Sequence, residues 1–170
     1  MHGTGAEPWQ GADDDAFTWF FRAEFPAVLK TVWLVLHDRG RAEEVTQDAF
    51  VQLLLHWPKV VRYQRPDAWV RRVAIRIAVR TLRRDALGRL LERGMEAPMP
   101  PAPVDVDLLR AVRRLPPAQR AAVVLFYFED RPVSEVAQIL GCADSTAKAH
   151  LHKARQRLAE LLGEAVADVS

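Results

Sequence analysis

Four prolines fall within the nine residues from Glu96 to Val104. No helix or central strand absorbs that density, because each proline fixes φ and removes a backbone donor. The segment therefore reads as an extended, semi-rigid linker between two units that can be held apart. The expected boundaries are an acidic N-terminal tail over 1–15, a first domain over 16–88, the linker over 89–106, a second domain over 107–163 and a C-terminal tail over 164–170.

Neither unit shows a strand alternation, a hairpin signal or an internal repeat, so the fold class expected is all-α, as two small helical domains. In the first, Phe17 to Leu36 is a helical run dense in aromatic and aliphatic residues, expected to be interrupted near Pro26 and stopped at the turn Asp38-Arg39-Gly40. From Arg41 to Trp57 the residues Ala42, Val45, Ala49, Leu53 and Leu54 recur at three- and four-residue intervals, which predicts an amphipathic helix ended by Pro58. Its outer face carries Glu44, Gln47, Asp48 and Gln52. A third helix starts at Arg65-Pro66-Asp67 with Asp67 as its N-cap and runs to about Arg84, burying Val70, Val73, Ala74, Ile77 and Thr81. The second unit opens with a helix from Val106 to Leu115, followed by a strongly apolar one with proline in its first turn. A short helix from Val133 to Leu140 ends at Gly141, and a last helix starts at Asp144 or Ser145 with Ala147, Leu151, Ala154, Leu158 and Leu161 inward.

Composition excludes several classes of function. The longest apolar runs, such as Ala121 to Phe128, fall well short of the roughly 18 residues a membrane span needs. The N-terminus carries acids where a secretory signal would carry bases, so a cytoplasmic location is expected. The single cysteine, Cys142, leaves no disulfide framework and no cysteine metal cluster. No paired carboxylates, metal-spaced histidines or nucleophile–base pair is visible, and His150 and His152 point in divergent directions on one helix. Hence no catalytic residue, metal or cofactor is expected.

The net charge of +2 conceals an uneven distribution. Residues 62–93 hold ten arginines against three acids, and residues 107–162 hold nine bases against six acids. Arginine outnumbers lysine 20 to 4, which suits bidentate phosphate contact and is also what a GC-rich genome encodes. Arg72, Arg76, Arg80 and Arg83 share one helix face beginning beside Trp69. Like charges at that spacing repel, each pair costing an isolated helix a few tenths of a kcal/mol, unless a polyanion relieves them. Trp69 offers a surface on which a base can stack, although a core position suits a tryptophan as well. In the second unit, a short helix, a glycine turn and a longer helix form a helix-turn-helix pattern. The last helix turns Ser145, Ala149, His152 and Gln156 away from its core stripe, flanked by Lys148, Arg155, Lys153 and Arg157, as a groove-reading helix requires.

From about Phe17 to Leu162 the chain resembles extracytoplasmic-function RNA polymerase sigma factors. Arg41 to Phe50 resembles the family's polymerase-facing helix in conserved region 2.2. Trp69 to Arg84 resembles the helix that meets the promoter −10 element. Leu115 to Arg155, with Gly141, Ser145, Thr146, Lys148, Leu151, His152 and Arg155 in the family's spacing, resembles the −35-reading domain. The resemblance implies that Glu44, Gln47, Asp48 and Gln52 meet the β′ clamp helices of bacterial core RNA polymerase, a basic partner. It implies that Trp69, Arg72, Arg76, Arg80 and Arg83 contact the melted −10 strand, where an unstacked base is read. It places Ser145, Thr146, Lys148, Ala149, His152, Lys153 and Arg155 on or beside the −35 major groove, and adds the β flap and an anti-sigma factor as partners. Arg76 and Arg80 stand where the family has Asn and Asp, Ala149 and His150 where it has Ser and Arg, and Arg41 where it has an acid, so the promoter sequence is expected to be this chain's own. The alternative is a helix-turn-helix regulator that binds duplex DNA without polymerase.

Overall fold

The computed structural model describes residues 8–88 and 105–168. Residues 89–104 of the linker, 1–7 of the acidic tail and 169–170 of the C-terminal tail lie outside the described residues. Three long helices make the first half: α1 (Pro8–Leu36), α2 (Arg39–Val60) and α3 (Pro66–Gly88). Four make the second: α4 (Val106–Arg113), α5 (Pro117–Val123), α6 (Val133–Leu140) and α7 (Asp144–Asp168), with a π-helical turn over Val124–Phe128 after α5. No strand occurs among the described residues.

Two prolines expected to break helices sit inside them. α1 runs unbroken through Pro26, and α2 continues past Pro58 by one short turn. A proline inside a helix costs about 3 kcal/mol, and burial repays it locally. Val28 and Val32 beyond Pro26, and Trp57 and Val60 on either side of Pro58, are buried. Each such aliphatic side chain contributes about 1.5–3 kcal/mol. Gly40 is likewise no stop. α1 ends at Leu36, His37 takes a left-handed φ of 54°, and Asp38 caps α2 by accepting the backbone N–H of Arg41, which leaves Gly40 in the first turn of α2. Asp67 stands inside the first turn of α3 instead of capping it.

Aromatic side chains weld α1 to α2. Phe17 and Phe20 pack on Trp57, and Phe21 and Phe25 on Phe50, at centroid distances of 5.1–5.4 Å. The indole N–H of Trp57 donates to the carbonyl of Asp13. α3 closes the bundle with Val70, Ala74, Ile75, Ala78, Val79 and Leu82, while Val73, Ile77 and Thr81, expected in the buried stripe, are only half-buried. The inward face is thus rotated from the expected one, because α3 is covered from two directions: by α1 and α2, and by α5 and α6.

The halves do pack together. Their apolar side chains form one continuous core. The end of α1 is buried all round, from Thr31 and Val32 through Leu34, Val35 and Leu36, which needs neighbours on every side. The neighbours from the second half are α4, α5 and the π-turn. Arg120 of α5 donates to the carbonyl of Val35 at 2.9 Å.

His37 lies in this seam, 8% exposed, against the ring of Trp33. Burial, with the positive charges of Arg120 and Arg113, lowers its pKa to about 4 from 6.5. The unfolded chain therefore takes up this proton first as pH falls, and stability drops between about pH 6.5 and pH 4. Asparagine tolerates the left-handed φ and does not titrate. Urea unfolding of His37→Asn at pH 7 and pH 4.5 is expected to lack about 2–3 kcal/mol of the acid destabilisation seen in the parent protein.

Candidate nucleic-acid and polymerase interfaces

The helical period sorts the arginines of α3. Arg71 turns inward and is buried, its Nη1 3.0 Å from Glu24 and 3.5 Å from Asp67, its Nε 3.7 Å from Glu129. Arg72, Arg76, Arg80 and Arg83 turn outward and are exposed. Among the described residues none of these four enters an ion pair. Burial and the neighbouring Arg72 lower the pKa of Arg76. Trp69 occupies the middle ground that its two readings left open. It is half-buried and packed on the core, with its ring 5.7 Å from that of His56.

α6, the turn and α7 form the helix-turn-helix. Gly141 holds a left-handed φ of 70°, where a side chain would be strained, and the backbone N–H of Cys142 donates to the carbonyl of Ala137 to end α6. The first turn of α7 starts on the carbonyl of Ala143, which accepts from both Thr146 and Ala147, so neither Asp144 nor Ser145 is its cap. Ala147, Leu151 and Ala154 are buried, while Ser145, Thr146, Lys148, Ala149, His152, Lys153 and Arg155 are all exposed. Arg155 is also held in place. Its guanidinium lies 5.7 Å from the ring centre of Phe126 and 5.5 Å from that of Tyr127, and its Nε donates to the Tyr127 hydroxyl. Tyr127 is the partner that sequence reading missed; the aromatic run Phe126-Tyr127-Phe128 was its signal. Cys142 is half-buried, and burial with the charge of Asp144 raises its thiol pKa.

On α2 the four expected residues Glu44, Gln47, Asp48 and Gln52 are exposed on the outer surface. The helix adds apolar members to that surface: Val51 at 56%, Leu55 at 74% and Leu54 at 50% exposure. Leu54 was expected inside. The spacing from Glu44 through Gln47, Asp48 and Val51 to Leu55 marks one stripe, acidic and polar at its start and apolar at its end.

Among the described residues no group of His, Cys, Asp or Glu is arranged to hold a metal, and no helix is long and apolar enough to cross a membrane.

The family Sigma-70 region 2 matches residues 20–87, and Sigma-70, region 4 matches residues 105–158. The RNA polymerase sigma-E factor of Streptomyces avermitilis is 30% identical over 155 residues, covering 86% of this chain and 84% of that protein. The ECF RNA polymerase sigma factor SigM of Mycobacterium tuberculosis is 28% identical over 156 residues, covering 89% of this chain and 79% of that protein. The sigma factor RpoE, solved in complex with the anti-sigma factor NepR from Bartonella quintana, shares the fold with a TM-score of 0.73 at 22% identity over 87% of this chain and 97% of that one. With its two sigma regions matched in order and a relative of that likeness aligned along most of both chains, the protein belongs to the RNA polymerase sigma factors of the extracytoplasmic-function group.

Proposed function

We propose that this sigma factor divides its work between two domains, 16–88 and 107–163, joined by the linker 89–106 and flanked by tails at 1–15 and 164–170. Glu44, Gln47, Asp48 and Gln52, extended by Val51, Leu54 and Leu55, dock on core RNA polymerase. Trp69, Arg72, Arg76, Arg80 and Arg83 take the melted −10 strand. Ser145, Thr146, Lys148, Ala149, His152, Lys153 and Arg155 read the −35 duplex. The protein works in the cytoplasm, where the polymerase is, and performs no catalysis of its own. An anti-sigma protein as regulator follows by analogy with the RpoE–NepR pair.

One observation above all supports this reading. A row of four unpaired arginines spans about 16 Å of α3 at the 1.5 Å helical rise, on the same chain as a helix-turn-helix whose outward residues are small, polar and basic. The arginine row fits a single strand, whose phosphates it neutralises and whose bases can stack nearby.

Run-off transcription with purified bacterial core polymerase and a promoter library tests the reading directly: defined starts sharing −35 and −10 elements are expected, and their absence with core enzyme from the native source would overturn it. Arg76→Ala is expected to lower open-complex formation about tenfold and to reduce the salt slope of promoter binding by about one, as the loss of one phosphate contact predicts. Open-complex formation unchanged by that substitution removes Arg76 from the −10 surface. Replacing Val51 and Leu55 together by Asp, at positions too exposed to disturb the core, is expected to weaken binding to core polymerase at least tenfold while leaving the circular dichroism spectrum and thermal midpoint unaltered.

A further inference from the structure

Arg155 is ordered without being neutralised. Its Nε donates to the Tyr127 hydroxyl, and its guanidinium lies 5.7 and 5.5 Å from the ring centres of Phe126 and Tyr127. Those partners carry no charge, and among the described residues no carboxylate forms an ion pair with Arg155. Arg65, Arg71 and Arg131 differ, since each has its charge offset by an acid at 2.7–3.1 Å. A guanidinium that is fixed and still positive is suited to an anion. With Nε engaged, Nη1 and Nη2 remain as a pair of donors that matches two oxygens of one phosphate.

The π-helical turn supplies the tyrosine. In a regular helix Tyr127 would share a face with Val123 and Val124, four and three residues before it, and both of these are buried. The turn over Val124–Phe128 closes across five residues instead, the backbone N–H of Glu129 donating to the carbonyl of Val124 at 3.1 Å. The wider turn carries Tyr127 off the buried face, and its ring stands exposed against Arg155. Phe126 meets that ring edge-on at 4.9 Å and packs against the core.

On α7 the residues Lys148, His152 and Arg155 follow one another at spacings of four and three and are exposed, as is Ser145 three residues before them. At 1.5 Å per residue Arg155 lies about 15 Å along the helix from Ser145. A DNA major groove is about 12 Å wide and takes such a helix N-terminus first. A side chain that far along the helix stands at the groove wall, beside phosphates and away from base edges.

We infer that Tyr127 is a positioning residue for DNA binding: its hydroxyl and ring hold the Arg155 guanidinium so that Nη1 and Nη2 take one backbone phosphate of the −35 duplex. This rests on the assignment of α7 to that duplex. Because Arg155 is already ordered in the free chain, binding does not have to arrest a mobile side chain, and affinity is gained without sequence reading.

A phosphate contact needs no particular sequence, so the full-length chain and a fluorescein-labelled mixed-sequence duplex of about 30 base pairs suffice, with anisotropy followed from about 50 to 200 mM salt. Arg155→Ala is expected to weaken binding about tenfold at the lowest salt and to reduce the salt slope by about one. Tyr127→Phe, which keeps the ring and loses the acceptor, is expected to weaken binding about threefold, and Tyr127→Ala about fivefold, both with the slope of the parent protein because the cation remains. In the Arg155→Ala background neither Tyr127 substitution is expected to weaken binding further. A tyrosine that only supported the fold would add its loss to that of Arg155→Ala, so additive losses overturn the positioning role. Should Tyr127→Ala lower the thermal midpoint, Tyr127→Phe, which keeps the ring packing, decides by the same cycle. Binding weakened by Arg155→Ala but untouched by either Tyr127 substitution overturns the role of Tyr127 and leaves the −35 assignment standing. Binding and slope unchanged by Arg155→Ala overturn the phosphate contact and the positioning role together. The assay contains neither promoter nor polymerase, so a parent protein that initiates no run-off transcription refutes the sigma activity without moving these values.

Discussion

Arg71 is a charge in a place that excludes water, with its side chain 8% exposed at the meeting of α1, α3 and the segment after the π-turn. A buried guanidinium is tolerable only when paired on several sides, because its desolvation costs several kcal/mol. Glu24 from α1, Asp67 from its own helix and Glu129 from the second half supply that pairing. Glu129 is in turn met by Arg131 at 3.5 Å, and Arg131 by Glu135. The chain of charges ends at Arg65, which returns to Asp67. Burial raises the Glu135 carboxyl, but hydrogen bonds from Arg131 and Arg65 outweigh it and hold the group below its ordinary pKa; the hydrogen bond from Arg65 does the same for Asp67. Such a network adds little net stability, but it penalises any arrangement that leaves one member unpaired, and so it fixes how the two halves meet.

Local signals in the sequence located the second half well. The helix from Val133 to Leu140 and its stop at Gly141 are set by a glycine that alone takes the left-handed turn without strain, a matter of a few residues. The breaks expected at Pro26, Gly40 and Pro58 failed for the opposite reason. Proline removes one hydrogen bond, a local loss, whereas the burial of Val28, Val32, Trp57 and Val60 depends on partners far along the chain. The proline-rich linker marks the halves as separable without saying whether they touch. Their contact joins a shared apolar core with the polar contacts of Arg71, Arg120 and Glu129, each of which reads in sequence as one more surface charge.

The candidate surfaces were legible wherever a face repeats at the helical period. The outward row of Arg72, Arg76, Arg80 and Arg83, and the outward face of α7, follow from rotation by 100° per residue once the inward residues are known. Leu54 shows the limit. Its spacing from Ala42, Val45, Ala49 and Leu53 fits the buried stripe, but it lies at the edge of that stripe, and the neighbouring helices do not reach it. Val51 and Leu55 carried a readable sign, two apolar residues four apart on a face otherwise polar.

A chain with twenty arginines and four lysines gives no reason, by composition, to favour one arginine over another. Packing separates them by what each guanidinium touches. Arg71 and Arg120 are buried and bind carboxylates or backbone carbonyls, so their positive charge is spent on architecture. Arg65 and Arg131 sit at the seam, paired to Glu135. Arg155 lies on aromatic rings beside the outward face of α7. Among the described residues, Arg72, Arg76, Arg80 and Arg83 have no acid in an ion pair with them. Four uncompensated cations along about 16 Å of one helix destabilise the free protein slightly, by a few tenths of a kcal/mol for each close pair. That repulsion is relieved when a polyanion arrives, and a nucleic-acid strand, with one phosphate per about 3.4 Å, supplies more than one anion for each arginine of the row.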